Sequence, residues 1–252
     1  MLMKNNTKKI IFRAAAVLFW IGVWYLAAEL VNPGLFLKVP TPYDTVVSFI
    51  QNVGQAEFWT AVATSLLHIT AGFVCAVILG LLFGMLSGNS RFFAGLTSPI
   101  VHLIRSVPVA AFIILAWLWV PNDILPAVIS FLMVLPIIWS ATEQAVRQTD
   151  KKLLEMAKIM GMPKLKMELH IKFFGLLPSF RAAVVSGLGY AWKSGVAAEV
   201  ICNPTGSIGS LLSSAKQNID YPQVFAVTLT IVLLSLLIEN IIKLVWREKK
   251  YD

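Results

Sequence analysis

The chain has 252 residues, of which 58% are hydrophobic and 13% are charged, and it carries a formal net charge of +8. Its mean hydropathy of +0.76 excludes an ordinary soluble domain, in which about 25% of residues are charged. The positive charge then indicates loops held on the inner side of a membrane rather than a surface for nucleic acid.

A helix needs roughly 20 mostly apolar residues to cross a bilayer, and six stretches of the chain are long enough. They are 11–31, 59–87, 93–120, 124–146, 177–201 and 223–246. The first follows the basic sequence KNNTKKIIFR and lacks a convincing signal-peptide cleavage site, so we interpret it as a retained helix. Residues 32–58 carry three prolines and then a short amphipathic stretch, which is typical of a surface segment.

The positions of lysine and arginine predict the orientation of the chain in the membrane. With the N-terminus inside, the outer loops contain only Lys38 and Lys216. Apart from Arg105 and Lys193, which fall deeper within spans, the other basic residues lie in the N-terminal segment, the inner loops, the C-terminal tail or near the inner ends of spans. This asymmetry predicts that both termini are cytoplasmic.

The inner loop between the fourth and fifth spans, about residues 147–176, is long for a connector and therefore predicts a structured element. Its first part, DKKLLEMAKIM, predicts an amphipathic helix, because apolar residues fall at helical spacing. These residues are Leu153, Met156, Ala157 and Met160. Gly161 then supplies a helix stop, and Pro163 can begin the next helix but cannot continue the last one.

The second part of the loop, LKMELHIKF (165–173), alternates apolar and polar residues as a strand does. We nevertheless predict a short helix, because no other segment alternates to pair with a strand and Glu168 precedes Lys172 in the favourable i,i+4 order. As a helix it carries two apolar stripes: Leu165, Leu169 and Phe173, and roughly opposite them Met167, Ile171 and Phe174. Two stripes predict contact with its own bundle and with a second protein. The alternative is a loop that lies on the membrane surface with its lysines against anionic lipid.

This loop resembles the signature of ABC importer permeases, an E-A-A, three residues, G, nine residues, I pattern before the penultimate helix. The matching positions are Glu155, Ala157, Gly161, Ile171 and Pro178. Met156 stands where the family has its middle alanine, and Phe173-Phe174 stand where it usually has Leu-Pro. A Leu-Pro pair follows at Leu177-Pro178, as in the nitrate/sulfonate/taurine branch of the family.

The resemblance extends over nearly the whole chain. An element before the second helix of that branch is similar to FLKVPTPYDTV in this chain. The Arg-x-x-Pro of the branch occurs in HLIRSVP, at Arg105 to Pro108. Its fifth span is similar to AWKSGVAAEVI. The resemblance implies a type I ABC importer transmembrane domain, an all-α membrane protein of six transmembrane helices with an amphipathic cytoplasmic coupling-helix loop. The implied divisions are residues 1–57 for the first helix and outer amphipathic segment, 58–246 for the core domain with coupling loop 151–176, and 247–252 for the tail.

The resemblance also implies a function. The chain would be a permease subunit of the bacterial cytoplasmic (inner) membrane that forms the pathway for a small solute. Its implied partners are a second copy of itself, two ATP-binding-cassette ATPase subunits, an external solute-binding protein and membrane lipid. In that family the coupling helix docks into a groove on the ATPase. The residues assigned to this contact are Glu155, Met156, Ala157, Gly161, Met162, Leu165 and Ile171.

No catalytic motif occurs in the sequence. A phosphate-binding G-x-x-x-x-G-K-[ST] is missing, so ATP is expected to be bound and hydrolysed on another chain. No HExxH, no pair of CxxC motifs and no Ser/His/Asp set stands out, so we expect a transport subunit without a cofactor rather than an enzyme. The alternative is a self-sufficient secondary transporter or channel. That class predicts paired half-repeats with broken helices at matching places, and the sequence shows no such symmetry.

Ionisable groups inside spans are costly and are therefore candidates for function. We interpret Arg105 and Lys193 as facing a central pathway and favouring an anion there. The neighbouring pathway candidates are Ser106, Trp192 and Glu199. The alternative is structural: Lys193 is held by Glu199, and Arg105 is held by Glu143 or by carbonyls freed where the third span bends at Pro108.

Relatives in this branch carry oxyanions, sulfonates, bicarbonate and vitamin or pyrimidine precursors, so the resemblance does not select one substrate. Two further expectations concern structure. Glycines at 72, 80, 84 and 88 predict close packing of the second span against another helix. The segment NPTGSIGSLLSSAKQNIDYP (203–222) predicts a short gating helix on the outer side.

Overall fold

The computed structural model describes residues 2–31 and 38–245, and every regular element within them is a helix. A π-helical turn, Glu168–Phe173, joins α8 to α9. In chain order the α-helices are α1 (Leu2–Val31), α2 (Pro42–Val53), α3 (Ala56–Asn89), α4 (Arg91–Ser106), α5 (Val109–Trp117), α6 (Leu125–Arg147), α7 (Lys151–Ile159), α8 (Lys164–Met167), α9 (Phe174–Cys202), α10 (Ile208–Gln217) and α11 (Tyr221–Val245). The predicted tail, 247–252, and the beginning of the surface segment, 32–37, lie outside the described residues.

The all-α membrane fold is confirmed, with one change to the third span. Five helical runs within the described ranges are each long and apolar enough to cross a membrane. They are α1, α3, α6, the run formed by α8, the π-turn and α9, and α11. The predicted span 93–120 is instead two helices, α4 and α5, whose axes differ by 103°. Pro108 has no N–H to continue α4, and the residue before a proline is driven out of the helical region. Val107 accordingly has extended backbone angles (φ −86°, ψ 131°).

The predicted second helix of the inner loop is not a separate element. α8, the π-turn and α9 form one uninterrupted helical run, Lys164–Cys202, of 39 residues. The predicted fifth span begins at residue 177 and already includes Pro178. Pro178 lies inside α9 in the structure, because a proline removes only one intrahelical hydrogen bond and membrane helices tolerate that loss.

The glycines of α3 lie against α6, as predicted. A Cβ atom at Gly84 would lie 2.5 Å from Cβ of Thr142, and one at Gly88 would lie 2.6 Å from Cβ of Val146. Gly80 meets Ile138 in the same way, and Gly72 meets the backbone of Ala127. The four positions recur at multiples of four residues, so they form one face along which the two helices approach closely.

The described residues divide into two compact units. The first unit comprises Met1–Trp59 and Leu211–Val232. Within it the Trp24 ring stacks on Phe225 with centroids 5.7 Å apart, and Gln223 donates to the Asn52 side-chain oxygen at 2.7 Å. The second unit comprises Thr60–Ser210 and Leu233–Asp252. All the candidate site residues lie in the second unit.

The second unit has an apolar core in which α6 packs along α9. One buried cluster joins Ile113 of α5 with Leu125 and Ile129 of α6 and with Ala198 and Cys202 of α9. Burial of a large aliphatic side chain contributes about 1.5–3 kcal/mol relative to its exposure to water. This packing fixes α5, α6 and the end of α9 around the sites described below.

The glycine face gives a first prediction. Gly84→Ala should lower the free energy of unfolding by about 1–3 kcal/mol, because the added methyl group must displace Thr142 or the α6 backbone. Chemical denaturation in detergent, followed by helical circular dichroism, measures the change. Gly189→Ala is the matched control, since no atom lies within 4 Å of its Cβ position. Equal stability of the two variants would contradict the close α3–α6 contact.

Candidate functional site

The inner segment, residues 151–176, begins with a capped helix and a tight turn. The Asp150 side chain accepts a hydrogen bond from the Lys152 N–H at 2.8 Å at the start of α7. At its end Gly161 has φ +70°, a conformation that glycine adopts without steric cost. The Gly161 N–H donates to Lys158 O at 3.0 Å and the Met162 N–H donates to Ala157 O at 2.9 Å. This pair of bonds is a Schellman motif, so Gly161 is the helix stop that the sequence predicts.

The apolar residues of α7 face two ways. Ala157 is buried, Met162 after the turn is half-buried, and Met156, Ile159 and Met160 are 57%, 86% and 79% exposed. Glu155 is also exposed and forms no hydrogen bond or ion pair with the described residues. The helix therefore rests on the bundle through its smallest apolar residue and presents its large ones outward.

The continuation through α8 shows the two predicted apolar sides. Leu165 and Leu169 are exposed, Met167 is buried, and Ile171 is half-buried. The prediction grouped Phe173 with the two leucines and Phe174 with Met167 and Ile171. It was wrong for both phenylalanines, because Phe174 is exposed and Phe173 is half-buried. A π-turn contains more residues than an α-turn, so it displaces the residues that follow it around the helix axis.

A polar cluster ties the inner segment to the end of α3. Lys172 forms an ion pair with Glu168 at 2.6 Å and also donates to the Asn89 side-chain oxygen. The Asn89 amide in turn donates to Glu168 at 2.9 Å. Asn89 is the last residue of α3, so the predicted Glu168–Lys172 pair also links two helices.

Arg105 lies at the end of α4 and donates to the backbone oxygen of Pro136 in α6 at 2.9 Å. It does not pair with Glu143, which forms an ion pair with Arg147 at 2.9 Å. The acceptor is a carbonyl within α6 and not one freed at the break in the third span. The Ser106 hydroxyl donates to His102 O of its own helix at 2.8 Å.

A cavity of about 360 Å³ opens beside Arg105 at the break between α4 and α5. Its other polar side chain is Tyr190 of α9, which sequence reasoning missed. The signal for it is a tyrosine three residues before Lys193 in an otherwise apolar span. The remaining lining is Ile104, Val107, Val109, Met133, Pro136 and Ile137. The structure does not bring Lys193 or Trp192 into this lining. Lys193 is exposed and Trp192 is buried.

Glu199 is fully buried and binds the first turn of α10. One of its carboxylate oxygens, Oε2, accepts from the Ser65 hydroxyl at 2.8 Å and from the Gly209 N–H at 3.1 Å. The Ser65 oxygen accepts from the Ile208 N–H at 2.9 Å. We call Ser65, Glu199, Ile208 and Gly209 the α10 clamp. In this conformation Glu199 does not pair with Lys193.

The clamp completes the hydrogen bonding of the α10 N-terminus. The first N–H groups of a helix have no partner within the helix. In α10 the first binds Ser65, the second binds Glu199, and the third, that of Ser210, donates to the Ser207 hydroxyl at 3.0 Å. A carboxylate at this end is also favoured by the helix dipole. A Cβ atom at Gly209 would overlap Glu199, so only glycine permits this approach.

Residues 76–250 match the family model for the inner membrane component of binding-protein-dependent transport systems. The match covers most of the chain, and the all-helical fold with its candidate membrane spans agrees with it. The chain belongs to this family. It is a membrane-embedded permease component of a transport system that works with a binding protein.

The chain is also similar to named transport proteins over most of its length. It is 31% identical to the putative aliphatic sulfonates transport permease protein of Escherichia coli K12, over 93% of this chain and 89% of that protein. It is 29% identical to a probable ABC transporter permease protein of Brucella melitensis biotype 1, over 88% and 89% of the two chains. It is 26% identical to the taurine transport system permease protein of E. coli K12, over 87% and 81%.

The α10 clamp gives a second prediction. Ser65→Ala should lower the free energy of unfolding by about 1–3 kcal/mol, because it leaves the Ile208 N–H without its partner and takes one donor from Glu199. Denaturation in detergent measures this loss. Ser106→Ala is the control, since that hydroxyl is exposed and bonds only to its own helix. A loss in Ser65→Ala no larger than in the control would contradict the clamp.

Proposed function

We propose that the chain is the permease subunit of an ATP-binding-cassette importer and that its inner segment is the docking surface for an ATPase subunit. The observation that carries this proposal is the group of exposed apolar side chains on the segment. They are Leu153, Met156, Ile159, Met160, Leu165 and Leu169. Exposed apolar groups of this size outside a membrane span mark an interaction surface, and methionine adapts to the shape of a partner.

The contacts of the inner segment also suit it to pass a displacement on to the membrane helices. The Schellman turn at Gly161 fixes the angle between α7 and α8, and the Asn89–Glu168–Lys172 cluster holds the segment against α3. From Glu168 to Glu199 the chain is helical without interruption, a length of about 45 Å at 1.5 Å per residue. A displacement of the docked segment would therefore reach the α10 clamp through one helix.

The assembly that follows contains a second copy of this chain, two ATPase subunits and an external solute-binding protein. The lysine and arginine asymmetry supports cytoplasmic termini in the bacterial inner membrane, which places the inner segment with the ATPase and α10 on the outer side. ATP-driven closure of the ATPase dimer would move the two inner segments and switch access to the pathway. ATP is bound by the ATPase chain, so this subunit needs no cofactor.

The proposed substrate is a small anion. The relatives named for taurine and for aliphatic sulfonates support this substrate class. Arg105 and Lys193 supply positive charge within the spans, and neither forms an ion pair with a carboxylate among the described residues. A self-sufficient transporter is the competing function. Purification from the native host separates the two, because a co-purifying ATPase supports the importer and ion-gradient-driven uptake by the chain alone contradicts it.

Gly161→Val should abolish the stimulation of ATP hydrolysis by substrate-loaded binding protein in the reconstituted complex. Valine is strained at φ +70°, so the turn between α7 and α8 changes its angle. Gly161→Asn is the matched control and should keep most of the stimulation, because asparagine tolerates this conformation. Full coupling in Gly161→Val would contradict the role of this turn.

Met156→Ser combined with Met160→Ser should reduce co-purification of the ATPase at least tenfold. Each change removes an exposed apolar side chain from the docking surface, and each such loss weakens binding by about 1–3 kcal/mol. Lys158→Ser, an exposed change on the same helix, should leave the yield of complex unchanged. If the double variant keeps the ATPase but no longer binds anionic lipid vesicles, the segment is a membrane-surface element and not a docking surface.

A further inference from the structure

We propose that the cavity at the α4–α5 break is a binding site for a small organic anion, in which Arg105 and Tyr190 hold the oxyanion head group. The inference rests on the proposed transport of an anion and assigns that anion a site on this chain. The site lies in the second unit, and its lining residues come from α4, α5, α6 and α9 and from Val107 between α4 and α5.

The break in the third span creates the cavity. α4 ends at Ser106, Val107 and Pro108 are extended, and α5 leaves at 103° to α4. A straight helix would fill this space with its own next turn. The bend instead leaves a space of about 360 Å³, which is within the range of small-ligand pockets.

Arg105 brings an uncompensated charge to this space. Its Nη2 atom is held by the Pro136 carbonyl at 2.9 Å, which orients the guanidinium group. A guanidinium group has five N–H donors, and the described residues supply an acceptor for this one nitrogen only. No carboxylate lines the cavity. The bond to a neutral carbonyl positions the charge without neutralising it, so an anion is the complementary ligand.

Tyr190 supplies a second donor from a different helix, α9. Its side chain is 59% exposed, and its hydroxyl has no hydrogen-bond partner among the described residues. It lies on α9, whereas Arg105 lies at the end of α4, and both residues line the same cavity. A guanidinium group and a phenol that face one space can bind two oxygens of the same oxyanion.

The rest of the lining selects an organic anion over an inorganic one. Ile104, Val109, Met133 and Ile137 offer no hydrogen bonds. A nitrate or bicarbonate ion would gain only the contacts with Arg105 and Tyr190 and nothing from these walls, against which it would lose water. A short alkyl chain attached to a sulfonate or carboxylate gains by their contact, by about fourfold in affinity for each buried methylene group.

The experiment uses the complex of this chain with its ATPase in nanodiscs of zwitterionic lipid. Ethanesulfonate, butanesulfonate, butanoate, nitrate and bicarbonate are titrated separately, and ligand-observed NMR gives the dissociation constants. We expect the affinity to rise from ethanesulfonate to butanesulfonate, and both inorganic ions to bind more weakly than either. Arg105→Gln should weaken butanesulfonate binding about 10- to 100-fold, and Tyr190→Phe about 3- to 10-fold. Arg105→Lys should recover part of the loss, since it restores the charge.

Two matched controls remove the same groups elsewhere. Arg91→Gln removes an exposed arginine, and Tyr43→Phe removes the hydroxyl of an exposed tyrosine; neither residue lines the cavity. Both should bind butanesulfonate as the unmodified complex does. Unchanged unfolding midpoints show that the Arg105 and Tyr190 variants are folded.

Three results would overturn the inference: no binding of any probe, equal losses in the control variants, or nitrate binding as tight as that of butanesulfonate. These results leave the proposed function intact if the complex still couples ATP hydrolysis to its binding protein. Failure of an ATPase to associate refutes the proposed function instead. The effects of Arg105→Gln and Tyr190→Phe on butanesulfonate binding are then measured on the isolated permease.

Discussion

The uninterrupted helix from Lys164 to Cys202 is the element on which the other features depend. Its first turns carry the inner segment, its middle packs along α6, and its last turn holds the buried carboxylate that binds α10. A helix is stiff along its axis because each residue is bonded to the next turn. The inner segment and the α10 clamp are therefore connected by the hydrogen bonds of one helix and not through a series of loops.

A second constraint is that polar groups removed from water need partners. The buried α10 site and the exposed Arg105 site differ in this respect. At α10 the first-turn N–H groups are all satisfied by buried side chains, and the result is a closed, well-defined contact. At the α4–α5 break the exposed Arg105 has an acceptor for one nitrogen only among the described residues. The first arrangement is that of a structural joint, and the second is the one from which the anion site is proposed.

The sequence predicts those features that depend on local chemistry. Apolar stretches predict the helices that span the membrane, and the helical spacing of Gly72, Gly80, Gly84 and Gly88 predicts a face that packs closely against another helix, which the structure shows to be α6. Gly161 after an amphipathic helix predicts the turn, and the structure shows the positive φ that explains the glycine. These predictions succeed because a short range of residues determines each of them.

The sequence does not predict features that depend on residues distant in the chain. Ser65 and Glu199 are 134 positions apart, and neither residue alone indicates that both bind the same helix end. Tyr190 becomes a candidate site residue only because α5 turns away from α4 at Pro108. The continuity of α8 and α9 was missed because the charged segment up to about residue 176 was assigned to an inner loop separate from the span that begins at 177, whereas the structure continues one helix through both.

The α10 clamp also has a consequence for the way α10 can move. Separating its first turn from α3 and α9 exposes a carboxylate, a hydroxyl and two N–H groups together, and each costs free energy unless it finds a new partner at once. When α10 is only partly separated, these groups have lost their partners but water does not yet reach them, so hydration does not offset this cost. If α10 detached, water would therefore have to enter the gap, and the movement would be cooperative, with a dry attached state and a hydrated detached state.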